Sequence, residues 1–274
     1  MAFAPNLTPR DIPDDITRRK LNELIDTVNM SDLDLEIPAG NIAGKTSVNK
    51  FGENTAVASG ATEDVWDGSN IYPWPDTALM TKLSQTADQA AMRGETVEVQ
   101  GLAAGYVATT QDVVLDASNT TTAVTLTTPL LRAFRMKVQG DVIGDSTIRL
   151  HNDAENVDYA IIGIGNNQTL MALYTVAAAK TAYITNYYAT SIPSGGQPTS
   201  LSLRIWAKDN ANVYERQLKH KQGLTADADA YGHFQHFFKP YLKITEKSDV
   251  YIDVTTVGAA ADIAAGFDLI LVDN

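Results

Sequence analysis

Three short stretches carry residue types whose spacing invites chemistry: His233-Phe-Gln-His236, Asp227-Ala-Asp229-Ala-Tyr231-Gly232 and Gly163-Ile-Gly165-Asn-Asn-Gln168. The histidine pair resembles half of a zinc motif without its glutamate. On a strand its odd spacing sends the two rings to opposite faces, so a hydrogen-bonded pair beside an aromatic cluster is expected, not a metal site. The acidic stretch begins like a calcium loop. Tyr231, however, stands where a third oxygen ligand belongs, and Phe238 where a bidentate glutamate belongs, so a polar surface loop is expected. The glycine stretch opens like a dinucleotide-binding loop, but Gln168 replaces the third glycine. The strand-like run Leu170–Val176 follows where a helix should receive the pyrophosphate. Asn166-Asn167 therefore reads as a tight turn between neighbouring strands. Glu215, Glu246, Asp249 and Asp268 are scattered, with no pair to single out as a glycosidase couple. There is no Gly-x-Ser-x-Gly elbow and no P-loop. No catalytic residue, metal ligand or cofactor is predicted, and the chain is not expected to be an enzyme.

Aromatic residues are the more telling candidates. Tyr72-Pro-Trp74-Pro75 forms an aromatic–proline knot, and Phe234, Phe237, Phe238 and Tyr241 crowd eight positions. They either plug the ends of a β structure or, with Trp206, present surface contacts to a glycan or a neighbouring subunit. Aromatics give large contact area with few rotors. Tyr72, Trp74 and Trp206 are the candidate surface contacts.

The elements that must position these residues follow from periodicity. Pro5, Pro9 and Pro13 punctuate an irregular arm, and Pro13-Asp14-Asp15 supplies a helix start. Leu21, Leu24, Ile25 and Val28 recur at i, i+3, i+4 and i+7, one face of a helix of about 13–15 residues. A helix that short must bury its stripe, either on its own body or on a partner. With Ile16 these residues form the candidate anchor. The following Gly-, Ser-, Asn- and Ala-rich stretch reads as an extended strap. From about residue 95 the period becomes two: Val97 and Val99; Phe134, Met136 and Val138; Leu201, Leu203 and Ile205; Val250, Ile252 and Val254; Phe267, Leu269 and Leu271. Thr77–Arg93 reads as a strand followed by a loop. The fold class is all-β: an antiparallel β-sandwich or jelly-roll-like body (51–274) behind an N-terminal arm and one short helix (1–50).

The chain has 274 residues, no cysteine and a formal charge of −12, from 21 Lys and Arg against 33 Asp and Glu. That balance argues against nucleic acid, whose phosphates require clustered cations, and against anionic membranes. No run approaches the roughly 18 apolar residues of a transmembrane helix. The start, MAFAPNLTPRDIPDD, does not read as a secretory signal.

The words GSNIYPWP (68–75), VQGLAAGY (99–106), LRAFRMKV (131–138), GIGNNQTLMALYTVAAAKTAYITNYYATS (163–191), LSLRIWAKDNANVYE (201–215), HFQHFFKPYLKITEKSDVYIDV (233–254) and AGFDLILVD (265–273) resemble a family of β-rich virion structural proteins of tailed bacteriophages. The resemblance covers about 58–274 and leaves the arm and helix outside. It implies a non-enzymatic particle component, assembled in the host bacterial cytoplasm: a capsid decoration or head–neck protein, with a host-binding fibre or lectin-like module as the alternative. The partners implied are major capsid or neck and portal proteins and further copies of the chain.

Overall fold

The computed structural model describes residues 8, 14–31, 33–193, 199–212, 214–227 and 231–274, with 24–31, 33, 34 and 56 described by their backbone alone. Helix α1 (Asp15–Ser31) starts where Asp14 caps it, its Oδ2 accepting the Thr17 N–H at 2.8 Å. A single turn, α2 (Leu33–Glu36), follows. The strands are β1 (Lys45–Val57), β2 (Thr62–Asp64), β3 (Met80–Gln85), β4 (Thr96–Ala103), β5 (Val107–Val114), β6 (Val124–Val138), β7 (Ile148–His151), β8 (Asp158–Ile162), β9 (Leu173–Thr175), β10 (Lys180–Pro193), β11 (Thr199–Asp209), β12 (Gln217–Ala226), β13 (Gly232–Ile244), β14 (Ser248–Gly258) and β15 (Ala261–Asp273).

Their pairing is antiparallel throughout and falls into three sheets. The first runs β1-β15-β10-β13 and the second β2-β14-β11-β12, with β9 also on β14. The pairs β1:β15, β2:β14, β10:β13 and β11:β12 are those of a long hairpin rolled into two four-stranded sheets, which is a jelly roll. Between β2 and β10 the chain inserts a third sheet, β5-β4-β6-β3-β7-β8.

Alternation builds the core between the two jelly-roll sheets: Leu201, Leu203 and Ile205 of β11 and Val250, Ile252 and Val254 of β14 face Ile184, Phe267 and Leu269 of the first sheet. The insert has its own core of Met80, Leu83, Val97, Leu130, Met136 and Leu150, which also takes in Tyr251 and Leu173. The insert therefore covers the outer face of the second sheet at β14, which is buried at every residue from Ser248 to Val254.

Several sequence expectations change. The strap contains β1, which begins at Lys45, before the expected boundary at residue 50, and pairs along β15 from Val272 to Ala261. The turn near Asn166 is real, closed by Asn166 N–H on the Gly163 carbonyl at 3.1 Å with Gly165 at φ +79°. It does not join neighbouring strands: β8 ends in the insert and β9 pairs with β14, so the segment crosses between layers. Thr77–Arg93 gives β3 and a short 3-10 turn at Ala90–Met92, the strand-then-loop reading.

Arg132 of β6 and Asp249 of β14 join insert to jelly roll. Two bonds, Nε to Oδ1 at 2.9 Å and Nη2 to Oδ2 at 3.1 Å, make the pair bidentate, and both side chains are buried. Arg132→Met should cost about 3–5 kcal/mol because it strands a buried carboxylate. Adding Asp249→Asn to that variant should recover much of the loss in urea denaturation; equal losses would assign the effect to packing alone.

Candidate functional site

The N-terminal anchor residues divide by position. Ile16 is 58% exposed and Leu21 partly buried; the side chains of Leu24, Ile25 and Val28 lie outside the described ones. After α2 the chain turns sharply, Gly40 N–H reaching the Ile37 carbonyl at 3.0 Å and Asn41 Nδ2 the Glu36 carboxylate at 2.6 Å. That turn drives Ile37, 5% exposed, onto the first sheet, beside Pro38, Phe237 and Tyr241 in a depression of about 570 Å³. Leu35, just before it, is 68% exposed.

The candidate aromatics gather at the seam between second sheet and insert. Tyr72 is buried at 1% exposure, so it is not a surface contact; the proline-flanked knot turns its ring inward. Its N–H donates to Asp64 Oδ2 at 2.8 Å. Trp66, Tyr72 and Trp74 follow edge to face, with centroids 5.0 and 4.7 Å apart, and Tyr251 continues the run tilted against Trp74 at 5.4 Å. The Arg132 guanidinium lies 5.1 Å over Trp74 and also donates to the carbonyls of Pro75 and Leu131. Asp249 accepts further from Thr175 Oγ1 at 2.6 Å and Asn210 Nδ2 at 2.7 Å.

A second arginine station lies along the same face of β14. Arg204 Nε donates to Asp253 Oδ1 at 2.6 Å, and its Nη2 to Thr255 Oγ1 at 2.7 Å. Arg216 Nη1 stands 3.9 Å from Asp253 Oδ2 and donates to the Tyr251 hydroxyl at 3.2 Å. Both guanidinia lie over Trp206, at 5.8 and 4.5 Å. Register places Asp64 of β2 directly opposite Asp253. Burial, with the Asp253 charge adding to it, pushes the Asp64 carboxyl up to about 7 against the Tyr72 N–H and the two arginines. Asp67 also rises to about 7, through burial and then Glu53, against the Leu170 N–H. A cleft of about 240 Å³, lined by Ile71, Trp74, Lys208, Glu215 and Arg216, opens above the pair.

The chemistry open to this arrangement is narrow. Asp64 and Asp253 are 3% and 1% exposed, and Arg204 holds the second, whereas glycoside cleavage needs both carboxyls presented to a sugar. Trp74 and Trp206 lay ring faces against guanidinium groups, which stacks protein on protein. Arg132 with Asp249 ties the insert to the second sheet, and the Arg204 station ties strands within that sheet. Sequence reasoning missed this cluster because its partners are distant along the chain; the sole local signal is a cation or carboxylate within an apolar strand, as in LLRAFRM (130–136) and SDVYIDV (248–254).

Of the histidines, His233 and His236 do face opposite ways, but they form no pair. His236 stacks on His220 of β12 with centroids 4.0 Å apart, among Phe234, Phe238 and Tyr187, whose hydroxyl meets His220 Nδ1. Burial, then His236, lowers the His220 pKa. Asp227 is exposed, and Asp229 lies outside the described residues, as does 194–198. Among the described residues no three His, Asp or Glu converge on a metal position, and no helix is long and apolar enough to cross a membrane.

No family model matches the chain, and no curated protein matches it. Solved structures similar to it include a chain of the T13 particle of infectious bursal disease virus, at 9% identity and a TM-score of 0.22, covering 83% of this chain and 73% of that one. A chain from the Gx strain of that virus and one from its VP2 subviral particle each give 10% identity and a TM-score of 0.20, covering 84% and 76%. Likeness at this level carries no functional argument.

Two titrations test the geometry. A raised folded pKa means that Asp64 contributes stability below its unfolded pKa near 4 and loses it as pH climbs through about 7. Asp64→Asn should flatten that part of the stability profile. His220 has the opposite sign: its folded pKa is depressed, so stability should fall as pH drops below 6.5, and His220→Gln should remove that fall. Unchanged profiles in chemical denaturation across pH 4–8 would refute both assignments. Trp74→Ala should cost about 3–5 kcal/mol, the loss of a packed aromatic, in the same assay.

Proposed function

We propose that the chain is a non-enzymatic structural component of a tailed-bacteriophage virion, a capsid decoration or head–neck protein held by its N-terminal arm and helix. The observation that carries the reading is the jelly roll with a helical segment leading into its first strand. Jelly rolls build viral capsid domains, though also lectins and cupins, so the fold alone is analogy. Choosing among them are the strand and turn words over 58–274 that resemble phage virion proteins. The likeness to the bursal-disease virus chains is no part of the argument.

The anchor assignment rests on the N-terminal segment. The plug at Ile37 fixes the strap to the first sheet, while Ile16 and Leu35 are offered to solvent. Attachment through one short segment is weak per copy, and many copies on one shell multiply it. Major capsid or neck and portal proteins are the partners this reading names, with further copies of the chain beside them in the virion. The alternative, a saccharide-binding module, calls for open aromatic faces; Tyr72 is buried and the indoles of Trp74 and Trp206 already carry arginines.

The boundary of the test follows from β1. Removing residues 1–50 would strip six positions of β1 from β15, whereas removing 1–34 keeps Ile37 and the whole strand. The 1–34 deletion should fold with an unchanged melting midpoint and fail to enter particles in a complementation assay. Incorporation at the normal copy number would overturn the anchor.

A further inference from the structure

Lys50 sits on β1 with 3% of its surface exposed, its Nζ donating to the Phe134 carbonyl of β6. It lines a cleft of about 420 Å³ between β1 and the insert. Arg135, the next residue of β6, lines the same cleft and spends one N–H on the Asn49 carbonyl at 3.0 Å. Among the described residues no carboxylate stands within ion-pair distance of either cation. This is unusual in a chain with a formal charge of −12. Buried lysines ordinarily carry a counter-charge, because the desolvation penalty of a lone ammonium is large. Burial and then Arg135 hold the Lys50 pKa well below the ordinary lysine value.

The rest of the cleft narrows the occupant. Phe134 and Tyr174, with ring centroids 4.6 Å apart, and Val48 give apolar walls; Gln100, Thr109 and Thr110 give neutral polar ones. Lys50 retains two ammonium hydrogens beyond its bond to Phe134, and what it lacks is a single negative charge. The Arg135 guanidinium suits a planar two-oxygen acceptor. We propose that this cleft binds an organic carboxylate with an apolar body, its oxygens held between Lys50 and Arg135. The site is separate from the arm and independent of the virion reading.

Proton linkage gives the site a signature that simple surface attraction lacks. The titratable groups lining the cleft are Lys50 and Arg135 on β1 and β6 and Tyr174 on β9, whose phenol burial pushes up to about 12. Lys50 is the cation whose charged form burial, and then the neighbouring Arg135 charge, disfavour. A bound carboxylate raises its pKa, so binding takes up a proton wherever the pH lies between the free and bound values.

Titration calorimetry of the full chain with benzoate, in Tris and in HEPES at pH 8 to 9, tests this, with inorganic phosphate as the second probe. Benzoate should bind with buffer-dependent heat, showing proton uptake, and with affinity that declines as pH rises. Lys50→Met should weaken it about tenfold or more, the scale of one charge-assisted bond, and Arg135→Gln should weaken it too. Lys50→Met removes a buried amine, so its melting midpoint should hold or rise; were it not to fold, Arg135→Gln alone decides the question. Absence of benzoate binding, equal binding by the variants, no proton uptake, or phosphate binding in preference would each overturn the proposal.

Discussion

A buried bidentate ion pair, Arg132 with Asp249, is the constraint that fixes how the two halves of this protein meet. Its value is less in net stability than in position. Desolvating both ions cancels most of their attraction, and a well-packed apolar pair could match it. An apolar pair could also slide. Two parallel N–H···O bonds cannot, and here the carboxylate is further fixed by Thr175 and Asn210 and the guanidinium by Pro75 and Leu131. Five chain segments, far apart in sequence, therefore share one register.

That register decides which surfaces the jelly roll can offer. One face of β14 holds Val250, Ile252 and Val254 in the sandwich core; its other face presents Asp249, Tyr251 and Asp253 to arginines and aromatics. Asp249, Tyr251 and Asp253 are tolerated there because each finds a partner of defined geometry. The outer side of β14 is consequently occupied by the chain's own insert, while β11 and β12 keep exposed positions. Among the described residues, surfaces left open include the first sheet, where Ile37 is plugged, the exposed positions of β11 and β12, the outer side of the insert, and the groove between insert and first sheet.

Much of this was legible in the alternation of single strands. Leu201-Leu203-Ile205 and Val250-Ile252-Val254 announced core faces correctly, and Asp14 announced the helix start. Their partners were not legible, because pairing across 117 residues, as between Arg132 and Asp249, leaves no local period. Tyr72 stayed open between a buried plug and a surface contact for a related reason. The aromatic–proline knot fits either place, and the contact that fixes it, its N–H on Asp64, lies at the end of a three-residue strand too short to show alternation. Lys50 hid similarly: a lysine in NKFGEN reads as an exposed edge, and only the arrival of β6 buries it.

β6 is where these threads join. Leu130 to Ala133 are buried in succession, so this strand, like β14, has no solvent face along that stretch. Arg132 reaches the second jelly-roll sheet, and two residues on the Phe134 carbonyl receives Lys50 from the first. Between those bonds the backbone rises only about 7 Å at ordinary strand spacing. A displacement of β1 at Lys50 is thus applied to the same rigid stretch that carries the ion pair, and close-packed neighbours on both sides leave it little room to absorb the shift by bending. Insert, first sheet and second sheet are mechanically one body through this strand.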